Sequence, residues 1–195
     1  MGNNVYPFSD ISLTQNDIIL LDTSFVLNLC NSSNNASIAQ ECDDLTLKAI
    51  QSRATYAISM ITYEELYNVS LKQQFINHFG DNFCEGDIKA WKNSQPKSFQ
   101  TAIDNALSQR NAYINVLQRS PAFYPDPIGE KSAITINQAI ELQHKYVLPG
   151  LNDAHQIAIA NNESISCFAT TDSDFLHVNE AGLKILVDSN TYNKL

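Results

Sequence analysis

Three carboxylates stand directly after apolar runs that are typical of buried strands. Asp22 ends the run IILLD at residues 18–22, and Asp172 and Asp174 follow the run SISCFAT at residues 164–170. A carboxylate at the edge of an apolar core is costly unless it is paired, hydrogen-bonded or bound to a metal ion. Ligands of parallel α/β sheets bind at the carboxyl ends of the strands, so these positions predict a site.

Two more acidic residues are predicted at the starts of helices beside this edge. Glu65 follows the apolar run YAISMI at residues 56–61, and Asp153 follows the helix-breaking pair at 149–150. The helix dipole favours an anion in the first turn of a helix. Because helices in such folds begin close to the carboxyl ends of the strands, we expect all five acids to meet at one edge of the sheet.

Carboxylates that meet in a nearly dry site raise one another's pKa, and a divalent cation removes that conflict. Oxygen ligands of this kind suit Mg²⁺ or Mn²⁺, and neither Cys nor His stands at a zinc spacing from the acids. His155 lies two positions after Asp153 and would face roughly 200° away on a helix, as a core or surface residue. The sequence therefore predicts a Mg²⁺ or Mn²⁺ site.

Short apolar runs separated by helical patterns predict a parallel sheet with crossover helices. The strand candidates are residues 18–22, 56–61, 164–170 and 183–188. Apolar residues recur with the helical period between Phe99 and Leu117, which predicts a long helix stopped by Pro121. The expected fold class is α/β, with a parallel central sheet of about four to five short strands flanked by helices.

Local signals also predict helix starts and the domain organisation. Thr62, with Glu65 three residues later, forms a capping-box pattern, and Asn152 is the expected N-cap of a small apolar helix. Residues 74–147 hold no strand candidate, so we interpret them as a mainly helical insertion or cap. The whole chain, 1–195, is expected to form a single domain.

Composition limits the classes of function. The chain has 195 residues, of which 44% are hydrophobic, as is typical of a globular protein. Its 12 Lys and Arg against 21 Asp and Glu give a formal charge of -9, which excludes a broad basic surface for nucleic acid. The first residues lack a signal-peptide pattern, and no apolar run approaches the roughly 20 residues of a membrane span. We expect a cytoplasmic protein that does not contact membranes.

The segments that carry the acids resemble the motifs of a known family. LLDTSFVLNL, ITYEELYNV, LNDAHQIAIA and ATTDSDF are similar, in this order, to the four acidic motifs of the PIN-domain ribonuclease family. The resemblance covers the start and the last part of the chain and leaves the middle segment unmatched. It implies a PIN-like fold and an active site with catalytic acids Asp22, Glu65, Asp153, Asp172 and Asp174, of which all except Glu65 are metal ligands, and with Ser24 and Thr170 in support.

By the same resemblance, the implied function is an endoribonuclease that hydrolyses RNA phosphodiester bonds with Mg²⁺ or Mn²⁺ as its cofactor. A bound ion would lower the pKa of its water and stabilise charge on the phosphate oxygens. The resemblance also includes toxins of toxin–antitoxin pairs, in which an antitoxin-like inhibitory protein is the partner. Family members often pair, so a homodimer is a further expectation.

Each acid also has a structural alternative. Asp22 could cap the turn after its strand, and Glu65 could serve only the capping box with Thr62. Asp153 could complement the helix dipole, and the two acids of the last motif could shape a turn. The corresponding alternative function is a catalytically silent PIN-like module that binds RNA or protein. Only the convergence of all the acids favours the nuclease.

The densest basic stretch is KAWKNSQPK at residues 89–97, which contains the only Trp of the chain. Trp91 could stack on an RNA base while Lys89 and Lys92 contact phosphates. The alternative is a solvated linker in which the Trp packs the insertion against the core.

Overall fold

The computed structural model describes residues 4–31 and 35–195. Its strands are β1 Val5–Pro7, β2 Ile18–Leu21, β3 Thr55–Ile58, β4 Cys167–Thr170 and β5 Lys184–Val187. All neighbouring strands pair in parallel, in the order β1-β5-β4-β2-β3. The predicted α/β class with a parallel sheet of short strands is confirmed.

Helices occupy most of the remaining chain that the structure describes. They are α1 Thr23–Cys30, α2 Ala36–Ser52, α3 Met60–Phe79, α4 Glu85–Ser94, α5 Pro96–Gln118, α6 Ala133–Tyr146, α7 Leu151–Asn162 and α8 Ser189–Tyr192, with a 3-10 helix at Ser173–His177. Among these helices, none combines the length and the apolar character that crossing a membrane requires.

The sheet is buried on both faces, which explains why its strands are continuous apolar runs. Alternate residues of each strand enter two separate cores. On one face Leu20 and Phe168 pack with residues of α6 and α7, and on the other Ile19 and Leu21 pack with α1, α2, α3 and α5. The order of the strands places β2 and β4 side by side at the centre, so their carboxyl ends open between the two layers of helices.

Strand β1 and helix α1 are among the elements that were not predicted from the sequence. Strand β1 has only three residues at the sheet edge, and its pairing with β5 spans almost the whole chain. Helix α1 begins directly after the run IILLD, where no helix was predicted. Asp22 separates the two elements because its carboxylate caps α1, while Phe25 and Val26 of α1 are buried.

Two predicted helix caps are wrong. Helix α3 begins at Met60, and its N-cap is Ser59, whose hydroxyl accepts a hydrogen bond from the amide of Thr62 (3.0 Å). Helix α7 begins at Leu151 after the N-cap Gly150, so Asn152 is already helical. Glu65 therefore has no part in a capping box, and the structural alternative for this residue does not apply.

Residues 74–147 form the end of α3, the helices α4, α5 and α6, and the connections between them. The connection at 121–130 follows the outer edge of β3, where Tyr124 and Ile128 donate backbone hydrogen bonds to the carbonyls of Tyr56 and Ile58 (2.8 and 2.9 Å). It therefore shields an edge strand that would otherwise present unpaired backbone groups.

We predict a stability gain at Val147, which ends α6 in a left-handed conformation (φ 54°, ψ 39°) and is 86% exposed. A β-branched residue is strained there, and its exposure means that little burial is lost on replacement. Val147→Gly should raise the free energy of unfolding by about 1 kcal/mol, or roughly 2–4 °C in Tm, in thermal unfolding. Val147→Ala keeps the Cβ and should gain less; a lower Tm for Val147→Gly would contradict the prediction.

Candidate active site

Asp22 is 5% exposed, and both of its carboxylate oxygens accept hydrogen bonds. Its Oδ2 accepts from the Ser24 hydroxyl (2.6 Å) and amide (3.3 Å) and from the Thr170 hydroxyl (2.8 Å). Its Oδ1 accepts from Nε2 of Gln156 (2.8 Å). These bonds offset the cost of burying the carboxylate, and they come from β4, α1 and α7. The supporting roles predicted for Ser24 and Thr170 agree with this geometry.

Gln156 was missed in the sequence, and it joins three elements of the site. Gln156 is fully buried on α7. Its amide nitrogen donates to Asp22, which directly follows β2, and its Oε1 accepts from the Thr62 hydroxyl of α3 (3.1 Å). The available signal was a long amide side chain among the small apolar residues of α7. Its neighbour His155 is buried and bonds Thr135 (3.0 Å), as expected of a core residue.

Glu65 lies half-buried on α3, five residues after the first helical residue Met60. Its Oε2 accepts from the Thr23 hydroxyl (2.6 Å), and its Oε1 accepts from the side-chain amide of Asn152 (3.0 Å). Burial raises the pKa of Glu65, and the charge of Asp22 raises it further, although the two hydrogen bonds act in the opposite direction. Glu65 therefore faces the same space as Asp22. By contrast, the neighbouring Glu64 is exposed and pairs with Lys131.

Asp153 shows how close the acids lie to one another. Its carboxylate accepts from the Gly150 amide (3.0 Å) in the first turn of α7. The pKa of Asp153 is raised from 3.8 to about 6, chiefly by burial and further by the charges of Asp22, Glu65 and Asp172. Four of the five predicted acids therefore share one electrostatic environment, although they come from four different elements.

The motif after β4 carries two of the predicted acids. Asp172 is close enough to affect the pKa of Asp153, whereas Asp174 lies further out. Asp172 caps the 3-10 helix by accepting from the Asp174 amide (2.9 Å), and its own amide donates to the Thr170 hydroxyl (3.0 Å). The Thr171 amide donates to the Ser24 hydroxyl (3.0 Å), which holds this turn against α1. Asp174 itself is exposed, so it lies at the outer side of the turn.

The structural alternatives apply locally at three of the acids. Asp22, Asp153 and Asp172 each accept a backbone amide at the start of a helix. Such a cap explains one acid at a time. Caps alone do not explain why Gln156 and Thr170 bind Asp22 from other elements, or why the charges of all four acids act on one another.

The donor set of the site fits a hard divalent cation, since it consists of carboxylate, hydroxyl and amide oxygens with no thiol and no imidazole. Within residues 4–31 and 35–195, however, no three His, Cys, Asp or Glu side chains lie in an arrangement that could hold a metal ion as they stand. The metal-ligand roles of Asp22, Asp153, Asp172 and Asp174 therefore stay a prediction.

The predicted base stacking by Trp91 is wrong. Trp91 is 5% exposed, and rings of α3 and α5 surround it, so no face of the indole is free for a base. The Trp therefore packs the helices of the middle segment together. Lys89 and Lys92 are exposed on α4, and their contact with RNA stays a prediction.

Comparisons with known proteins identify the family. A comparison with curated proteins gives no significant match. The crystal structure of VapBC2 from Rickettsia felis bound to a DNA fragment from their promoter has 17% identity, covers 88% of this chain and 98% of that chain, and gives a TM-score of 0.48. The model of the PIN domain, a family whose members are generally nucleases, matches residues 19–181. Because this match spans most of the sequence, the chain belongs to the PIN domain family.

Proposed function

We propose that the chain is a metal-dependent endoribonuclease that hydrolyses RNA phosphodiester bonds at Asp22, Glu65, Asp153, Asp172 and Asp174. One observation carries the proposal. Hydrogen bonds from α1, β4 and α7 converge on the carboxylates of Asp22 and Glu65 at the carboxyl edge of the sheet. Membership of a family of nucleases supports the same reaction class.

The residues divide the work of such a site. Asp22, Asp153, Asp172 and Asp174 would hold Mg²⁺ or Mn²⁺, which supplies a water of lowered pKa and stabilises charge on the phosphate. The donors on Asp22 hold its carboxylate in one orientation. Without a cation the acids repel the phosphate backbone, so RNA binding at the site should require metal.

A catalytically silent PIN-like module that binds RNA or protein is the second candidate. It is favoured by the fact that, in the part of the chain that the structure describes, no three acids stand ready to hold an ion. We further propose, from the family resemblance, an antitoxin-like inhibitory partner that covers the acids, and a homodimer.

We predict metal-dependent cleavage that is lost on Asp153→Asn. Wild type should cut a single-stranded RNA with Mg²⁺ or Mn²⁺ but not with EDTA, and the variant should be at least 100-fold slower because it loses a metal ligand. Asp153 suits the test better than Asp22, where an amide would place a donor against existing donors. Asp104→Asn, at an exposed acid of α5, is the matched control and should cut normally.

Two results would contradict the proposal that the chain is a metal-dependent nuclease. Cleavage that persists in EDTA would exclude the metal-dependent mechanism. A folded wild type that neither cuts RNA nor gains thermal stability with Mn²⁺ would favour the silent module, because an ion that binds the folded state must stabilise it.

The pH dependence of stability should also change at Asp153. In EDTA the folded state binds a proton at this carboxyl up to about pH 6, whereas the unfolded chain does so only near 3.8. Protonation of Asp153 therefore contributes its full stabilisation of the folded state below about pH 4, and this contribution is lost as the pH rises through about 6. Asp153→Asn removes this loss and should be more stable than wild type at pH 7 by about 1 kcal/mol, since solvent screens the half-exposed group. Urea unfolding at pH 4 and 7 measures it; an equal difference at both values would contradict the prediction.

Gln156→Leu should weaken both the fold and the site. The buried Oδ1 of Asp22 loses its donor, which should lower the free energy of unfolding in EDTA by about 2 kcal/mol. In the folded fraction, Mn²⁺ affinity should fall because Asp22 is no longer held in one orientation. Asn162→Leu, at an exposed amide of the same helix, is the control. Unchanged Mn²⁺ affinity in Gln156→Leu would show that Gln156 is only structural.

A further inference from the structure

The far end of α3 carries a cluster of aromatic rings, which we call the aromatic lobe and define as residues 70–99. Trp91 of α4 lies at its centre, with ring centroids of Phe75, Phe79 and Phe99 at 6.3, 5.4 and 5.3 Å in edge-on contact. Its indole Nε1 is buried without a hydrogen-bond partner among the described residues. The lobe therefore contains a donor whose acceptor the described chain does not supply.

His78 is the exposed outer layer of this cluster. Its ring is parallel to the Trp91 indole, with centroids 3.8 Å apart and planes 10° apart, and it meets Phe79 edge-on at 4.5 Å. One face of the imidazole covers Trp91, whereas the residue as a whole is exposed. A two-layer aromatic stack with an exposed outer ring is the arrangement on which an unpaired base can stack as a third layer.

The charge of the lobe differs from that of the rest of the chain. Residues 70–99 contain four Lys and three acidic residues, in a chain with 12 basic and 21 acidic residues overall. Lys72, Lys89, Lys92 and Lys97 are all exposed. The lobe is thus a local exception in an acidic protein, and it complements a phosphate backbone where most of the surface repels one.

Helix α3 connects the lobe to the acids. Glu65, Lys72 and Phe79 follow one another at seven-residue spacing, so they drift by only about 20° per step around the helix. Over this distance α3 rises by about 20 Å, which equals the length of about six stacked nucleotides. This row of the helix therefore presents an acid of the site, then an exposed Lys, then Phe79 of the cluster. His78 lies about 100° away from the row, on an adjoining side of α3.

We propose that the aromatic lobe binds unpaired bases of single-stranded RNA, with the exposed ring of His78 as the stacking surface and Lys72 and Lys92 as phosphate contacts. The choice of RNA rests on the proposed function. We thus assign base stacking to the exposed ring of His78, which covers the buried Trp91, and not to Trp91 itself.

Trp91 provides the readout because it is the only Trp of the chain. Its emission is followed in EDTA, which withholds the metal that hydrolysis requires, while an RNA oligouridylate of about 12 nucleotides is added to wild type, to His78→Ala, to His78→Phe and to His144→Ala. We expect a saturable change for wild type and about tenfold weaker binding for His78→Ala. His78→Phe should restore binding through its ring plane. His144→Ala, at an exposed His of α6, should bind like wild type.

Binding by His78→Ala that equals wild type, no response of the Trp91 emission, or tighter binding of the matching deoxy-oligomer would overturn the proposal. The cleavage assay separates this failure from that of the nuclease. If wild type cuts RNA with metal and His78→Ala binds like wild type, the nuclease proposal holds and the proposal for the aromatic lobe is wrong. If binding depends on His78 but no RNA is cut, the aromatic lobe binds RNA on a catalytically silent module.

Discussion

The buried carboxylate of Asp22 is the constraint on which the rest of the site depends. It occupies the end of the central strand β2, between two apolar cores, and it stays there because four hydrogen bonds from three elements reach it. The same bonds fix β4 and α7 relative to β2, since Thr170 and Gln156 can reach Asp22 only in one register. Satisfying one buried charge therefore also places the elements that carry Asp153 and Asp172.

The cluster of acids that the proposed function needs also lowers the stability of the fold. Burial and the charges of its neighbours raise the pKa of Asp153 to about 6, so near neutral pH the fold tolerates carboxylates that repel one another. The repulsion is partly reduced by backbone amides at the helix starts of α1 and α7, whose dipoles favour anions. The repulsion that is left destabilises the fold without an ion. A bound divalent cation would relieve this repulsion, so the free energy that the fold loses without the ion would add to the affinity for it.

Much of the site could be predicted because its acids follow local rules. Asp22 and Asp172 end apolar strands, and strands that are parallel bring such ends together without further information. The errors arose where two local signals compete. Ser59 precedes Thr62, and Gly150 precedes Asn152, and the sequence offers either residue as a cap. Gln156 and Trp91 could not be assigned, because their partners lie 134 residues away or on another helix and only packing decides between burial and exposure.

An acidic protein that acts on RNA, as we propose for this chain, has to bind a polyanion, and the two regions would do so in different ways. At the sheet edge, a bound cation would reduce the repulsion between the acids and the phosphate backbone, so affinity for RNA there would depend on the metal. On the aromatic lobe, base stacking on His78 would depend little on charge, and the exposed Lys residues would add local attraction. Bases that are paired in a duplex have no free face to stack, so a lobe of this kind selects unpaired segments. The substrate preference would then come from residues 70–99, whereas the proposed chemistry would come from the acids at the sheet edge.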